Sequence, residues 1–335
     1  MKEYIYTKDL LNMQERLNDI SVMRCVAMIL IIFYHCICPY GVWTNPDYSA
    51  NMSYPIWTIS IDVLRNIHLP MFFIIAGYLF GHKRFMGGYY NFMIFVKNKF
   101  MRVMLPYLIV GILIVVIQHE KLRNLLYGIS HLWFLMTIFE CYICGKLIDK
   151  VLWAAPKLKM LILLACFVWL ILEDSLSVNI WGLTIRQFFQ YFPYYLFGMI
   201  LGTLNFFHDK KRRIIKLFIA CLSFCVMVYI AFSNSNESLL KIVGFIFLTS
   251  LFFSIRECKN FRIPPFIKNL DLCSMGIYIV HHILIQKMDS LDYFHSLMTC
   301  HYILYPIFQF FVIFILSWYL VYLFKKYKYA KYILG

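Results

Sequence analysis

The sequence predicts an all-helical, polytopic integral membrane protein of about ten transmembrane helices with both termini cytosolic. Three observations predict it. Of 335 residues, 62% are hydrophobic and only 15% charged, and the mean hydropathy is +0.70, far outside the composition of soluble domains. Apolar runs close to the roughly 20 residues that span hydrocarbon recur from residue 20 to residue 324. Basic residues gather in alternate connecting segments, as the positive-inside rule requires.

In order, the runs lie near 20–39, 67–82, 103–119, 131–148, 159–173, 187–206, 214–232, 239–255, 272–287 and 303–324. With the amino terminus inside, the inner segments hold 25 of the 32 Lys and Arg residues. The outer segments hold six (Arg65, Lys121, Arg123, Arg186, Lys241 and Lys287), and Arg24 is left within a span. A net charge of +15 would suggest nucleic acid in a soluble protein; here it belongs to the inner-leaflet face, so the expected partners include membrane lipids and no nucleic acid. Residues 1–19 mix acids, bases and amides and read as a cytosolic lead-in, not a signal peptide. Residues 20–324 then form one membrane domain, and 325–335 a basic cytosolic tail.

The longest outer segment, Pro39 to Asn66, carries Trp43, Asp47, Trp57 and Asp62, and its second half, Ile56 to His68, alternates apolar and polar residues at helical spacing. It predicts an amphipathic interfacial helix. No segment between spans exceeds about thirty residues, too few for a globular appendage without staples. No internal repeat is evident, which speaks against a transporter built from inverted repeats. Eleven cysteines are an odd number, and most (Cys25, Cys141, Cys144, Cys166, Cys221, Cys225 and Cys273) fall in predicted spans as small apolar residues. Cys141-x-x-Cys144 has metal-ligand spacing but no second pair nearby, so no metal is expected.

Chemistry concentrates first in the run Ser21 to His35. Eleven helical steps separate Arg24 from His35, about three turns, so the two share a face about 16 Å apart along the axis. Arginine at a helix centre costs about 2.5–3.5 kcal/mol on insertion scales, and intramembrane ionisable groups face a bundle interior or a watery cavity. The face carrying both therefore points at a site. Against this stand two plainer readings, a snorkelling Arg24 and a His35 bonded to a neighbouring helix.

Three further segments, Leu69-Pro70-Met71-Phe72-Phe73 through Gly77-Tyr78-Leu79, Lys99 through Arg102 to Pro106-Tyr107, and His131-Leu132-Trp133-Phe134-Leu135, follow in order. A fourth, Ser274-Met275-Gly276-Ile277-Tyr278-Ile279-Val280-His281, lies near the end. With Arg24-x10-His35, the chain from about residue 16 to 324 resembles the acyltransferase-3 family of bacterial integral-membrane O-acyltransferases, as a stand-alone member without a fused hydrolase-like domain. Two positions depart from the family pattern. Ser21 stands where members commonly carry an Asp three residues before the Arg, and Ala76 where they carry a Ser. An acidic partner for Arg24 is therefore in doubt, since Asp19 lies two positions away on a different helix face.

The resemblance implies transfer of an acyl group, usually acetyl, from cytosolic acyl-CoA to a hydroxyl of a surface polysaccharide or lipid-linked glycan at the bacterial inner membrane. Imidazole suits that chemistry, because a sugar hydroxyl needs a base near neutral pKa as it attacks. His35 is the expected general base, with Arg24 holding the donor or polarising its carbonyl. Arg102, with Lys99 and Lys97 beside it, would receive the diphosphate of acetyl-CoA. His131, Trp133, Glu140 and His281 are the expected acceptor-binding groups. A rival reading is a carrier that moves a glycolipid or small solute without forming a bond. Sidedness follows from charge alone: in a Cys-free background, a cysteine at position 47 or 236 should react with an impermeant thiol reagent on intact cells, and one at 210 or 328 should not. Ready labelling at 210 with none at 47 would invert the topology.

Overall fold

A computed structural model describes residues 2–43, 53–88, 91–154, 156–172, 183–203, 210–233, 236–256, 262–327 and 330–334. Asp47 and Lys328 lie outside the described residues. Of the described residues 86% are helical, and none lies in a strand. Among the described residues fourteen α-helices follow one another: α1 Lys2–Ile37, α2 Pro55–Arg65, α3 His68–Phe85, α4 Phe92–Lys99, α5 Leu105–Ile117, α6 Trp133–Ala154, α7 Pro156–Leu172, α8 Ile185–Leu201, α9 Lys210–Phe232, α10 Glu237–Arg256, α11 Pro265–Asp289, α12 Asp292–Cys300, α13 Leu304–Phe324 and α14 Lys331–Leu334.

Each of the ten expected spans falls on a helix. Seven helical segments among the described residues are long and apolar enough to cross a membrane. Helices α7, α8 and α11 do not qualify. The apolar stretch of α7 is short, Leu161–Leu170, and α8 has only 17 residues. Helix α11 has 25 but carries Lys268, Asp271, His281, His282, Lys287 and Asp289. Two of the three, α8 and α11, bury polar and small residues in the bundle, Tyr191, Tyr194, Tyr195 and Gly198 in α8 and Gly276, His281, His282 and Asp289 in α11, while Arg186, Lys268 and Lys287 stay exposed. The interfacial helix forms as α2, shorter at its end than the pattern predicts: Asn66 and Ile67 break it, and His68 opens α3 instead. Pro55 starts α2 with φ already set for a helix, and the Trp57 indole donates to the carbonyl of Tyr302 at 2.7 Å, clipping α2 to the segment before α13.

Local sequence explains several helix ends. The Asn91 side chain caps α4 by accepting from the Ile94 N–H at 3.0 Å. Pro106 has no N–H to offer the carbonyl of Arg102, so the ladder between α4 and α5 widens into a π-turn over Phe100–Met104. Arg102 sits in that turn.

Helix α3 lies at the centre: 78% of the apolar window in Pro55–Phe85 is buried, against 22% for that of α13. Its closest partner is α8, and glycine makes this possible. A Cβ on Gly77 would lie 1.9 Å from the Tyr195 carbonyl oxygen, on Gly81 2.0 Å from that of Met199, and on Gly198 2.0 Å from that of Ile74. The Gly198-x-x-x-Gly202 spacing thus faces a matching Gly77-x-x-x-Gly81, backbone against backbone. Around this axis α1 packs on α3, α11 and α13, α6 and α7 flank α8, and the pair α9–α10 lies outside. Buried ion pairs tie the layers. Asp19 of α1 accepts from Arg256 of α10 at 2.5 Å, and Asp149 of α6 accepts from Arg84 of α3 at 3.0 Å and from Lys146 at 2.8 Å.

Gly198→Ala should lower the thermal midpoint in detergent sharply, because the added methyl meets a main-chain carbonyl that cannot rotate away and overpacking costs about 1–3 kcal/mol or more. Gly276→Ala, whose Cβ meets side-chain methyls of Val321 at 2.7 and 3.1 Å, should be milder. Equal losses would remove the backbone contact as the reason.

Candidate active site

Two polar contacts fix α1 against α11. The Arg24 guanidinium donates to Asp271 at 2.7 Å, and His35 Nδ1 lies 2.8 Å from His281 Nε2. Since residues 24 and 35 meet residues 271 and 281 in the same sense, the two helices run parallel in one register. Asp271, 247 residues away, is therefore the acidic partner of Arg24; Asp19 is turned to Arg256. The pair is partly buried, with side-chain exposures of 27% and 10%. Arg24 Nε and Asp271 Oδ1 are buried with no protein partner, so the pair keeps one donor and one acceptor unspent.

Around His35 stand four more imidazoles. The His282 ring meets it edge-on at 4.9 Å, His131 stacks on His282 at 4.4 Å, and His68 and His281 complete the group. Their carbonyl partners assign the protons. His281 Nδ1 is 3.1 Å from the Ile277 carbonyl oxygen, which can only accept. It carries the hydrogen, so Nε2 holds a lone pair and His35 Nδ1 must donate to it. His35 Nε2 is left with the lone pair, the form a general base needs. By the same argument His68 Nδ1 donates to the Leu64 carbonyl at 2.6 Å and His131 Nε2 to that of Ile279 at 3.1 Å. His68 Nε2 is buried and has no protein partner. Ser130, in the left-handed region at φ 48°, turns the chain into α6 so that His131 is buried.

Two cavities flank this register. One, of about 480 Å³, is lined by His35, His68, His131 and His282 with the aromatic rings of Tyr34, Trp43, Trp133 and Tyr191, and by Arg65. Trp133 stacks on Tyr191 at 5.8 Å. The other, of about 460 Å³, is lined by Arg24, Lys83, Lys99 and Arg102 at its polar part and by Phe72, Ile75, Leu79, Phe134, Leu135 and Ile138 elsewhere. Four cations and one imidazole, His82, thus line one cavity, and four imidazoles and one cation, Arg65, the other. The Lys99 ammonium also lies 3.6 Å from the centre of the Tyr142 ring.

Of the residues singled out from sequence, Arg24, Lys99 and Arg102 line the cationic cavity, His35, His131 and Trp133 line the histidine cavity, and His281 bonds His35 behind it. Lys97 is exposed and outside either lining. Glu140 also lines neither. Its carboxylate accepts from the Thr184 N–H at 3.2 Å and hydroxyl at 2.8 Å, at the N-terminus of α8, where a negative charge complements the helix dipole. Sequence reasoning missed Asp271, His68 and Lys83. His68 had a signal, an ionisable residue directly before an apolar span. Asp271 had only its place in a weakly apolar helix. Among the described residues no group of three or more His, Cys, Asp or Glu is arranged to hold a metal.

The family model of the acyltransferase-3 type, described as an acyltransferase domain, matches residues 17–325. No curated protein and no solved structure matches the chain significantly.

Asp271→Ala should destabilise the protein by about 1.5–3 kcal/mol, the worth of a hydrogen bond to a charged group, because Arg24 is left without its anion. The double variant Arg24→Leu, Asp271→Leu should lose clearly less than the two single losses added together. Additive losses in thermal melts would show that the two groups do not interact.

Proposed function

The chain belongs to the acyltransferase-3 family of membrane acyltransferases, and from that membership and its two cavities we propose that it moves an acyl group, acetyl in the simplest case, from acyl-CoA to a sugar hydroxyl of a cell-envelope polysaccharide or lipid-linked glycan. The observation that carries the reading is the pairing of a cationic cavity with a histidine cavity on one helix register, Arg24 at one end and His35 at the other. Phosphates suit Lys83, Lys99 and Arg102, and a pantetheine arm suits the apolar wall between them and His35. Trp43, Trp133, Tyr34 and Tyr191 offer the flat apolar faces on which sugar rings stack, with imidazole nitrogens to bond hydroxyls. The distribution of basic residues favours a cytosolic cationic cavity, within reach of CoA, and a histidine cavity on the far side, the membrane in this reading being a bacterial inner membrane.

In the reaction so read, the acceptor hydroxyl attacks the thioester carbonyl while His35 Nε2 takes its proton. His281 accepts from His35 Nδ1 throughout, holding the ring and stabilising the imidazolium that forms. Collapse of the tetrahedral intermediate breaks the C–S bond, and the leaving thiolate takes the proton back from Nε2. The products are an ester and CoA thiol. Arg24, aimed by Asp271, retains an Nε–H for a donor oxygen.

The test is incorporation of label from acetyl-CoA into saccharide by the purified protein in detergent. His35→Ala should cut transfer by about 10²–10⁴, the usual worth of a general base, and His35→Asn, whose amide can still donate to His281 but supplies no base, should lose transfer to the same extent. A carrier would bind both ligands and leave no label in the sugar. Substantial turnover by His35→Ala would remove His35 from the chemistry.

A further inference from the structure

The two cavities come within one side chain of each other. Along α6, Trp133 lines the histidine cavity and Phe134 the cationic one; along α3, Leu69 and Phe72 divide in the same way within a turn. Tyr278 of α11 lines both. It is 4% exposed, its ring lies 5.3 Å from that of Phe134 and 5.7 Å from that of His281, and its hydroxyl donates to the main-chain carbonyl of His131. That hydrogen bond fastens the outer edge of the ring to a neighbouring helix, so the ring is a fixed wall and not a free paddle.

Resting on the acyl-CoA reading, we propose that Tyr278 is the residue that selects the acyl group, and that it selects by width. Among the described residues Tyr278 is the side chain that lines both cavities, so a donor whose phosphates are held at Lys99 and Arg102 would bring its free tip to His35 past that ring. That tip is the acyl group. A straight acyl chain presents the cross-section of one methylene whatever its length, whereas a branch next to the carbonyl widens the part that must pass. The substrate class is therefore unbranched acyl thioesters, with branched ones excluded at the edge of the Tyr278 ring, which Phe134 backs at 5.3 Å, and not in the roomier cavities on either side.

The experiment compares acetyl-, butyryl- and isobutyryl-CoA as donors for the wild-type protein, Tyr278→Phe and Tyr278→Ala. Wild type should use the two straight donors in preference to isobutyryl-CoA. Tyr278→Ala should raise kcat/KM for isobutyryl relative to butyryl by about tenfold or more, the scale of discrimination that one methyl provides in a tight apolar site. Tyr278→Phe, which keeps the ring, should leave the ratio nearer to wild type. A second readout needs no donor. Cys38 lines the histidine cavity and is buried; with the other cysteines replaced, a narrow thiol reagent applied only from the face bearing Lys99 and Arg102 should modify it in Tyr278→Ala and spare it when Tyr278 is present. If wild type transfers acyl groups but Tyr278→Ala keeps the same branched-to-straight ratio and leaves Cys38 closed, the assignment of Tyr278 is overturned alone. If wild type transfers nothing from any acyl-CoA, the donor reading falls and the selection role with it, even where Cys38 opens.

Discussion

The register of α1 against α11 is the constraint on which the rest depends. Two contacts set it, Arg24 on Asp271 and His35 on His281, ten or eleven residues apart on each helix. Either contact alone would allow the helices to roll about it; together they fix both rotation and slide. Polar pairs in a setting where the alternative is hydrocarbon resist exchange, because a displaced partner finds no water to replace it. The same two contacts place a cation at one cavity and an unprotonated imidazole nitrogen at the other. Structure and chemistry are specified by the same atoms.

A second constraint supports the first. The site sits against α3, and α3 can occupy the centre only because glycines let α8 approach to backbone contact. That closeness brings Tyr191 of α8 under Trp133 of α6 and against Phe73 of α3, at ring distances of 5.8 and 4.8 Å. Aromatic walls of the histidine cavity are thus a consequence of small residues elsewhere. The buried triad of Arg84, Lys146 and Asp149 fastens α3 to α6 near the opposite end of α3, so the central helix is held at both ends.

Much of this was legible in the sequence, for definite reasons. Hydropathy located a helix at each of ten places, and an arginine and a histidine on one face of an apolar run pointed that face at a bundle interior or a watery cavity, where ionisable groups in hydrocarbon are tolerated. What hydropathy could not do was weigh α8 and α11, whose polar or short runs are tolerated only when protein surrounds them. Asp271 escaped for a related reason. Its meaning lies in a partner far away in sequence: Arg24 precedes Asp271 by 247 positions, and no local spacing announces such a pair. Glu140, a carboxylate in an apolar helix, has a partner that sequence spacing does not announce either: it accepts from Thr184 at the start of α8, 44 residues on.

The single aromatic layer between the cavities also has an electrical consequence. On the proposed sidedness, with one cavity entered from each face, Tyr278 is the side chain the two linings share, and a membrane potential, worth about 2.3 kcal/mol per charge per 100 mV, would fall largely across that layer. Any step that carried net charge through it would feel nearly the full voltage. In the proposed exchange the thioester sulfur gives up an acyl group toward the sugar and receives the sugar's proton in return, so the charge on each side is the same before and after. Such a catalyst is electroneutral over a full turnover, and the equilibrium of the transfer is indifferent to whether the cell is energised.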